Sequence, residues 1–129
     1  MQYLLLIYQA ELATASAGDD EVMASELAGY AAFTREARER SLFVAGEALE
    51  PTPAATSVRV REGRVTVTDG PFAETKEALG GFYLLECRDL DEAIELAAKI
   101  PAARRGTIEV RPIWQLPAAY GAAAGGGQG

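Results

Sequence analysis

The sequence opens on a continuously apolar run. Residues Tyr3 to Tyr8 read YLLLIY, and the polar residues Gln9 and Glu11 follow them. A strand with one buried face alternates apolar and polar residues, whereas a strand covered on both faces, or packed at a subunit interface, is apolar throughout. The run is too short to span a membrane and lacks the basic start of a signal peptide. We therefore predict that Tyr3 to Tyr8 is a central strand.

A helix is predicted after the small-residue loop 13–18. Asp19 or Asp20 can accept the free amide hydrogens of a helix start, and Glu21 adds favourable negative charge there. Gly29 lies in the middle of this helix, where it marks either close packing against the sheet or a tolerated weak position. Apolar residues recur at helical spacing and predict one buried face, made of Met23, Leu27, Tyr30, Phe33 or Thr34, and Ala37.

Three extended segments come next. Ser41 to Leu49 is rich in β-branched and aromatic residues and predicts a second strand that ends near Pro51. Ser57 to Arg61 and Arg64 to Thr68 alternate strictly and are joined by Glu62-Gly63, which predicts a hairpin with one solvated face. By parity, the polar face of the hairpin carries Arg59, Arg61, Thr66 and Thr68.

The second half of the chain repeats the order strand, helix, strand. Phe82 to Cys87 predicts another buried strand, and Asp89 with Glu92 three residues later has the pattern of a capping box. The helix that follows ends at Pro101, and Thr107 to Arg111 alternates as the final strand. The apolar face of this second helix is predicted at Leu90, Ala93, Ile94, Ala97 and Ile100.

Two strand-helix-strand halves with both helices on one face predict an α+β fold, a ferredoxin-like βαββαβ sandwich with an inserted β-hairpin. A chain of 129 residues suits one domain. We place the domain at residues 1–117, and predict that the Ala- and Gly-rich residues 118–129 are a disordered tail. Because several strands are apolar on both faces, the second face of the sheet needs cover, which predicts a homodimer packed sheet to sheet.

Composition narrows the choice of partners. The formal charge of −7 argues against direct binding of nucleic acid, which draws its affinity from clustered Lys and Arg. The single cysteine, Cys87, lies in an apolar run, so we predict a small core residue, with no intramolecular disulfide and no thiolate metal cluster. The carboxylates show no usual ligand spacing, and we predict no metal and no other cofactor. A cytoplasmic location without a membrane partner is expected.

Candidate functional residues concentrate between the hairpin and Phe82. Pro71 has no amide hydrogen and keeps Gly70 out of the helical region, so Asp69-Gly70-Pro71 predicts a sharp exit from the sheet, with Phe72 aimed inward as an anchor. Gly80-Gly81 permits close backbone approach by a ligand or by a partner strand. Ionisable groups beside two aromatic rings indicate a pocket for a small ligand.

We therefore predict three catalytic acids or bases and five ligand-binding residues. The candidate catalytic residues are Asp69, Glu74 and Glu77, and the candidate ligand-binding residues are Lys76, Phe72, Gly81, Phe82 and Arg61. The alternative interpretation is structural: Asp69 caps a turn, Phe72 fills the core, and the charges belong to a solvated loop with weak ion pairs.

These motifs resemble a known family. Asp69-Gly70-Pro71-Phe72, then Glu74 to Glu77 and Gly80-Gly81-Phe82, look like the DGPF branch of the YCII-related family. The opening strand, the segment Val44 to Leu49 and the last strand, Glu109 to Pro112, fit as well, so the resemblance covers nearly everything before the tail.

The resemblance implies a dimeric α/β barrel built from ferredoxin-like subunits. Members are largely of unknown function, although a few eliminate halide in the degradation of aromatic compounds. In other members a His and an Asp on and just after the first helix are the suspected catalytic pair. This chain has no histidine, and Gly29 and Arg38 align with those positions. The DGPF branch is also associated with extracytoplasmic-function sigma factors.

Three functions follow as hypotheses. The first is an enzyme that acts on a small polar or aromatic substrate by elimination or isomerisation, with Asp69, Glu74 or Glu77 as acid or base and Lys76 or Arg61 holding an anion. The second is a non-catalytic sensing or adaptor dimer that works with a transcription factor, which the absence of histidine favours. The third is a purely structural role for residues 69–83 as a clamp at the dimer interface.

Overall fold

The computed structural model describes residues 1–11 and 19–120, without the side chains of Asp19 and Asp20. The predicted loop 13–18 and most of the predicted tail lie outside the described residues. The regular elements are β1 (Gln2–Gln9), α1 (Asp19–Glu39), β2 (Phe43–Ala48), β3 (Thr56–Arg61), β4 (Arg64–Asp69), β5 (Ala78–Glu86), α2 (Leu90–Ala97) and β6 (Thr107–Pro112). Short 3₁₀ helices lie at Thr52–Ala54 and Pro101–Arg104. The predicted order of elements is confirmed, and residues 118–120 of the predicted tail form a helical turn.

Four strands form one antiparallel sheet in the order β2-β5-β1-β6, and β3 and β4 form a separate two-stranded sheet. The first strand is central, as predicted, because β1 pairs with β5 on one side and with β6 on the other. The split strand-helix-strand halves and this order are consistent with a ferredoxin-like fold. The hairpin is an insertion between β2 and β5, so it leaves the sheet at the end where β2 finishes and β5 begins.

The core lies between this sheet and the two helices. The largest fully buried side chains are Leu5, Leu85, Leu96, Ile100 and Cys87. Cys87 is therefore a core residue, as predicted, and burial raises the pKa of its thiol. The ring of Phe33 on α1 lies 4.6 Å from the ring of Tyr83 on β5, centroid to centroid, which joins the helix layer to the sheet.

On the opposite face of the sheet, no helix lies among residues 1–11 and 19–120. Side chains alternate along a strand, and Leu4 faces Leu84 across the β1–β5 ladder, as Leu6 faces Phe82. These four side chains are half-buried, whereas Tyr3, Leu5 and Ile7 on the helix side are buried. The described part of the chain thus covers β1 fully on one face and half on the other. We call this half-buried surface the open face.

The first half of α1 departs from prediction. Phe33 and Ala37 are buried as expected, but Met23 and Leu27 are 59% and 60% exposed. Gly29 packs against the 3₁₀ helix at Pro101, and not against the sheet as the first of its two interpretations expects. The sheet covers only the C-terminal half of α1, so the predicted apolar face continues into solvent at the N-terminal half.

The start of α2 confirms the predicted cap. The Asp89 side chain accepts a hydrogen bond from the Glu92 amide at 2.9 Å. The Glu92 carboxylate, which is nearly buried, accepts from the Arg88 amide at 2.8 Å and from the Arg40 guanidinium at 3.1 Å. The reciprocal bond of the capping box is therefore replaced by contacts that tie α2 to the end of α1.

The same contact region holds an exposed ion-pair network between the helices. Lys99 donates to Glu36 at 2.6 Å, and Arg40 donates to Glu95 at 3.2 Å. Hydrogen bonds from Lys99, and then from Arg40, lower the pKa of Glu36. Hydrogen bonding to Arg40 likewise lowers the pKa of Glu95.

The hairpin turns through Glu62 and Gly63, both with positive φ, of 52° and 76°. Two successive left-handed residues match the twist of the flanking strands, which explains why Glu62-Gly63 predicts this turn correctly. The face of the ribbon that carries Val58, Val60, Val65 and Val67 is exposed as well as the polar face. The expectation of a single solvated face is therefore wrong for the chain by itself.

Candidate functional site

The exit from the hairpin is as sharp as predicted. Gly70 has a φ of 92°, a left-handed conformation that glycine adopts without strain. Its amide donates to the Ala55 carbonyl at 2.7 Å, and its own carbonyl accepts from the Ser57 hydroxyl at 2.8 Å. These bonds close the base of the hairpin. Phe72 lies two residues after Gly70 and is 79% exposed, so it does not anchor in the core. The prediction of an inward anchor is wrong for the chain by itself.

Several predicted site residues are not brought together. Asp69 ends β4 opposite Thr56, whereas Arg61 lies at the other end of the hairpin, five residues and roughly 17 Å away along the strand. Glu74 and Lys76 are exposed in the segment that leads to β5. Among the described residues, no ion pair joins any two of the predicted charges.

Two of the predicted residues, Glu77 and Phe82, do share one surface. The Thr107 hydroxyl donates to a Glu77 carboxylate oxygen at 3.0 Å. Thr107 pairs with Tyr8, and Phe82 pairs with Leu6, so alternation puts all four on the open face. Leu6 and Phe82 form an apolar floor, and Tyr8, Glu77 and Thr107 form a polar end. We call these five residues the open-face site.

Gly81 has a structural reason to be glycine. A Cβ built there would lie 2.8 Å from the Glu47 carbonyl oxygen of β2. At Gly80 the nearest atom to such a Cβ is 3.8 Å away, which is an ordinary contact. Of the two partners predicted for the glycine pair, the close approach at Gly81 is therefore made by a neighbouring strand.

The two positions aligned with the family's suspected catalytic pair are occupied by packing contacts. A Cβ at Gly29 would lie 2.8 Å from the Pro101 Cγ. The guanidinium carbon of Arg38 lies 4.2 Å from the centre of the Phe43 ring, a cation–π contact. Neither position presents a proton acceptor to a substrate.

A cluster of hydroxyl groups under α1 escaped the sequence-based prediction. The hydroxyls of Thr34 and Tyr83 lie 3.2 Å apart. Burial raises the pKa of Tyr83 and of nearby Tyr30, so both phenols stay protonated at neutral pH. They can donate hydrogen bonds, but they cannot serve as bases. In the sequence, Tyr30, Thr34 and Tyr83 occupy positions whose helical or strand spacing predicts core residues. The hydrogen bond between two of them is therefore not predicted.

A groove that the site prediction did not anticipate lies between α1 and the second 3₁₀ helix. It has a volume of about 850 Å³ and a floor that includes Gly29, Phe33 and Pro101. Four of its charged lining residues are paired with each other, Lys99 with Glu36 and Arg105 with Glu26. None of the predicted site residues lines it.

Two properties of the described part of the chain bear on its class. No group of three or more Cys, Asp or Glu residues there is placed to hold a metal ion. Within residues 1–11 and 19–120, neither helix combines the length and the apolar character that crossing a membrane requires. The fold and the open-face site together define an α+β sandwich with one helix-covered and one helix-free sheet face.

The comparisons with known proteins agree with this class. The sequence profile of the YCII-related domain matches residues 1–117, and the chain belongs to the YCII-related family. An uncharacterized protein of Rhizobium meliloti (strain 1021) is 40% identical over 117 residues, which cover 88% of this chain and 92% of that protein.

Proposed function

We propose that this YCII-related chain forms a homodimer through the open faces of its sheets, as a dimeric α/β barrel, and binds a small polar or aromatic ligand there. The observation that carries the proposal is the half-buried apolar set Leu4, Leu6, Phe82 and Leu84, which no helix covers. Stacking two such faces removes apolar side chains from water, at about 25 cal/mol for each Å² buried. An isologous pair of sheets satisfies both chains at once.

The open-face site supports the choice of ligand. Phe82 and Leu6 offer an apolar surface to an aromatic ring, and the Glu77 carboxylate at the polar end of the open-face site can only accept hydrogen bonds when ionised. A ligand that fits both has a ring and a hydroxyl or amine donor. The Thr107 hydroxyl already holds Glu77, which keeps the carboxylate in a fixed position.

Dimer formation is tested by sedimentation velocity across a concentration series. The Leu84→Glu variant should shift the dimer to monomer, because it would bury a charge in the proposed interface. The matched control is Leu90→Glu on α2, which is already half exposed and lies on the helix side. A wild-type chain that stays monomeric at all concentrations, or a dimer that survives Leu84→Glu, would contradict the proposal.

Ligand binding is tested by thermal shift with phenol, catechol and benzylamine, against anisole as a ring without a donor. A ligand at 100 times its Kd stabilises the folded state by about 2.7 kcal/mol. The shift should be lost in Glu77→Gln and reduced in Phe82→Leu, and it should persist in the control Glu74→Gln, whose side chain is exposed. Equal shifts in Glu77→Gln and Glu74→Gln would refute the assigned role of Glu77.

Catalysis by the same site would use Glu77 as the acid or base in an elimination or isomerisation. It is the predicted carboxylate that shares a surface with an aromatic side chain, whereas Asp69 and Glu74 are exposed. Turnover of halogenated and hydroxylated aromatics by the purified protein tests this, and activity that survives Glu77→Gln would exclude the mechanism.

A second candidate function is an adaptor that binds an extracytoplasmic-function sigma factor. The exposed aromatic rings of Phe72 and Trp114, each 79% exposed, favour it because such rings are enriched in protein interfaces. Residues Asp69 to Phe72 also support assignment to the DGPF branch. Affinity purification of the tagged chain from its own cells should enrich a sigma factor, and Phe72→Ser should reduce the yield. Purification without any sigma factor would count against it.

A further inference from the structure

The hairpin formed by β3 and β4 is amphipathic in a way that the proposed function leaves unused. Val58 pairs with Val67, and Val60 pairs with Val65, so four valines form one face. These valines are 57% to 66% exposed, with no described residue covering them. The other face carries only arginines and hydroxyl residues, which are Ser57, Arg59, Arg61, Arg64, Thr66 and Thr68.

A two-stranded ribbon of this kind is marginally stable in water unless something packs on its apolar face. The base of this hairpin is held by two bonds to Gly70 and by the Glu11 carboxylate, which accepts from the Thr52 amide at 2.8 Å and from its hydroxyl at 2.6 Å. The valines stay exposed with the base fixed in this way. Their cover therefore has to come from outside the described part of the chain.

We propose that the valine face of the hairpin docks on a second copy of this chain, as an arm that extends the interface of the homodimer. The inference rests on the proposed function, because it requires that dimer. We call the segment from Thr56 to Asp69 the arm.

Charge favours a second copy as the occupant. The arm has three arginines and two acidic residues, a charge of +1, while the whole chain carries −7, so everything outside the arm carries −8. Two chains of this net charge repel each other, and a basic arm on each is attracted to the acidic body of the other. The arginines lie on the opposite face from the valines, so they can stay in water while the valines are buried.

Interface size points in the same direction. A stable dimer buries about 800 Å² on each partner. The side chains of the open face are already half-buried, so each of them gains less buried area in the dimer than a fully exposed side chain would. Four exposed valines on each arm add the apolar area that the open face lacks.

Photo-crosslinking tests the contact directly. With p-benzoylphenylalanine at position 60, irradiation of the purified full chain should give a covalent dimer, and peptide mapping should place the crosslink on a second copy. The same probe at position 59, on the arginine face, should give little or none. To separate copies, one chain is isotopically labelled and mixed with the unlabelled chain before irradiation.

A second measurement does not depend on the probe. The double variant Val60→Thr/Val65→Thr keeps the shape and β-branching of both side chains but replaces one methyl of each by a hydroxyl. It should weaken the dimer by about tenfold or more if the valines are buried. Thr66→Ser on the polar face is the control and should leave the dimer unchanged. Far-ultraviolet circular dichroism checks that each variant is folded.

The possible outcomes separate the arm from the dimer. A dimer that breaks with Leu84→Glu but neither crosslinks at position 60 nor weakens in the double threonine variant overturns the arm alone. A chain that is monomeric at every concentration overturns both. Crosslinks that join position 60 only to its own chain also overturn the arm, because its cover would then be internal.

Discussion

Replacing Glu92 tests how α2 is attached to the rest of the fold. The residue is 5% exposed, and its two carboxylate oxygens accept hydrogen bonds from the Arg88 amide, the Arg88 guanidinium and the Arg40 guanidinium, at 2.8, 3.1 and 3.1 Å. Glu92→Ala removes all three hydrogen bonds at once. The Arg88 amide then has no partner, while Arg40 keeps its bonds to Glu36 and Glu95.

The expected loss of unfolding free energy depends on which hydrogen-bond donors are left without an acceptor. Breaking a fully buried ion pair costs about 3–5 kcal/mol, but Arg88 is largely in water and Arg40 is partly so, which makes that range an upper bound. A hydrogen bond to a charged group contributes about 1.5–3 kcal/mol. We therefore expect Glu92→Ala to lower the free energy of unfolding by about 2 kcal/mol, and Glu92→Gln by less, since its amide oxygen can still accept from the Arg88 amide.

Urea denaturation followed by circular dichroism measures this directly. With an m-value of about 1–2 kcal/mol per molar urea, the midpoint should fall by roughly 1–2 M at unchanged slope. The matched control is Glu95→Ala on the same helix, because Glu95 also pairs with Arg40 but is 46% exposed, and its loss should be much smaller. If Glu92→Ala is no more destabilising than Glu95→Ala, the assignment of Glu92 as the attachment of α2 is wrong.

Three further predictions follow from the same structure. The pKa values of Glu36 and Glu95 are lowered in the folded state, so the stability that they contribute is complete above the ordinary value of 4.5 and is lost as pH falls through the lower folded values. The urea midpoint of the wild-type chain should therefore drop in acid, and that of the double variant Glu36→Gln/Glu95→Gln should drop less. Cys87 is buried with a raised pKa, so iodoacetamide at pH 8 should label it much more slowly in buffer than in urea, and equal rates would contradict its place in the core. Gly106→Ala would press a Cβ against the carbonyl oxygen of Tyr8 in β1 and should cost about 1–3 kcal/mol. Gly80→Ala, whose Cβ would have 3.8 Å of room, should be close to neutral by thermal melting.

The parts of the fold that the sequence predicts correctly are those decided by nearby residues. The turn at Glu62-Gly63 depends on two backbone conformations, and the cap at Asp89 depends on one side chain and an amide three residues away. The exposure of Met23 and Leu27 could not be read in the same way. Helical spacing shows which residues share a face, but it does not show how far along the helix the neighbouring layer extends.

The candidate site shows the same division. Glu74 and Glu77 are chemically alike and three residues apart, and the sequence offers no means to rank them. The difference comes from the sheet. Glu77 directly precedes β5, and its carboxylate accepts a hydrogen bond, at 3.0 Å, from the hydroxyl of Thr107 on β6, which lies on the other side of β1. The sharp exit at Asp69-Gly70-Pro71 predicts that Phe72 points inward, but the same exit, with Gly70 at a φ of 92°, leaves the Phe72 ring 79% exposed.

The contact between Gly29 and Pro101 constrains the mutational routes open to this chain. A side chain that begins 2.8 Å from the Pro101 ring has no room, so a histidine introduced at position 29 alone would displace the 3₁₀ helix or the first helix. A lineage with this arrangement would have to change Pro101 first, or change both residues together, before it could accept a histidine at position 29. The order of substitutions is thus fixed by one pair of atoms, and the present arrangement resists reversal one mutation at a time.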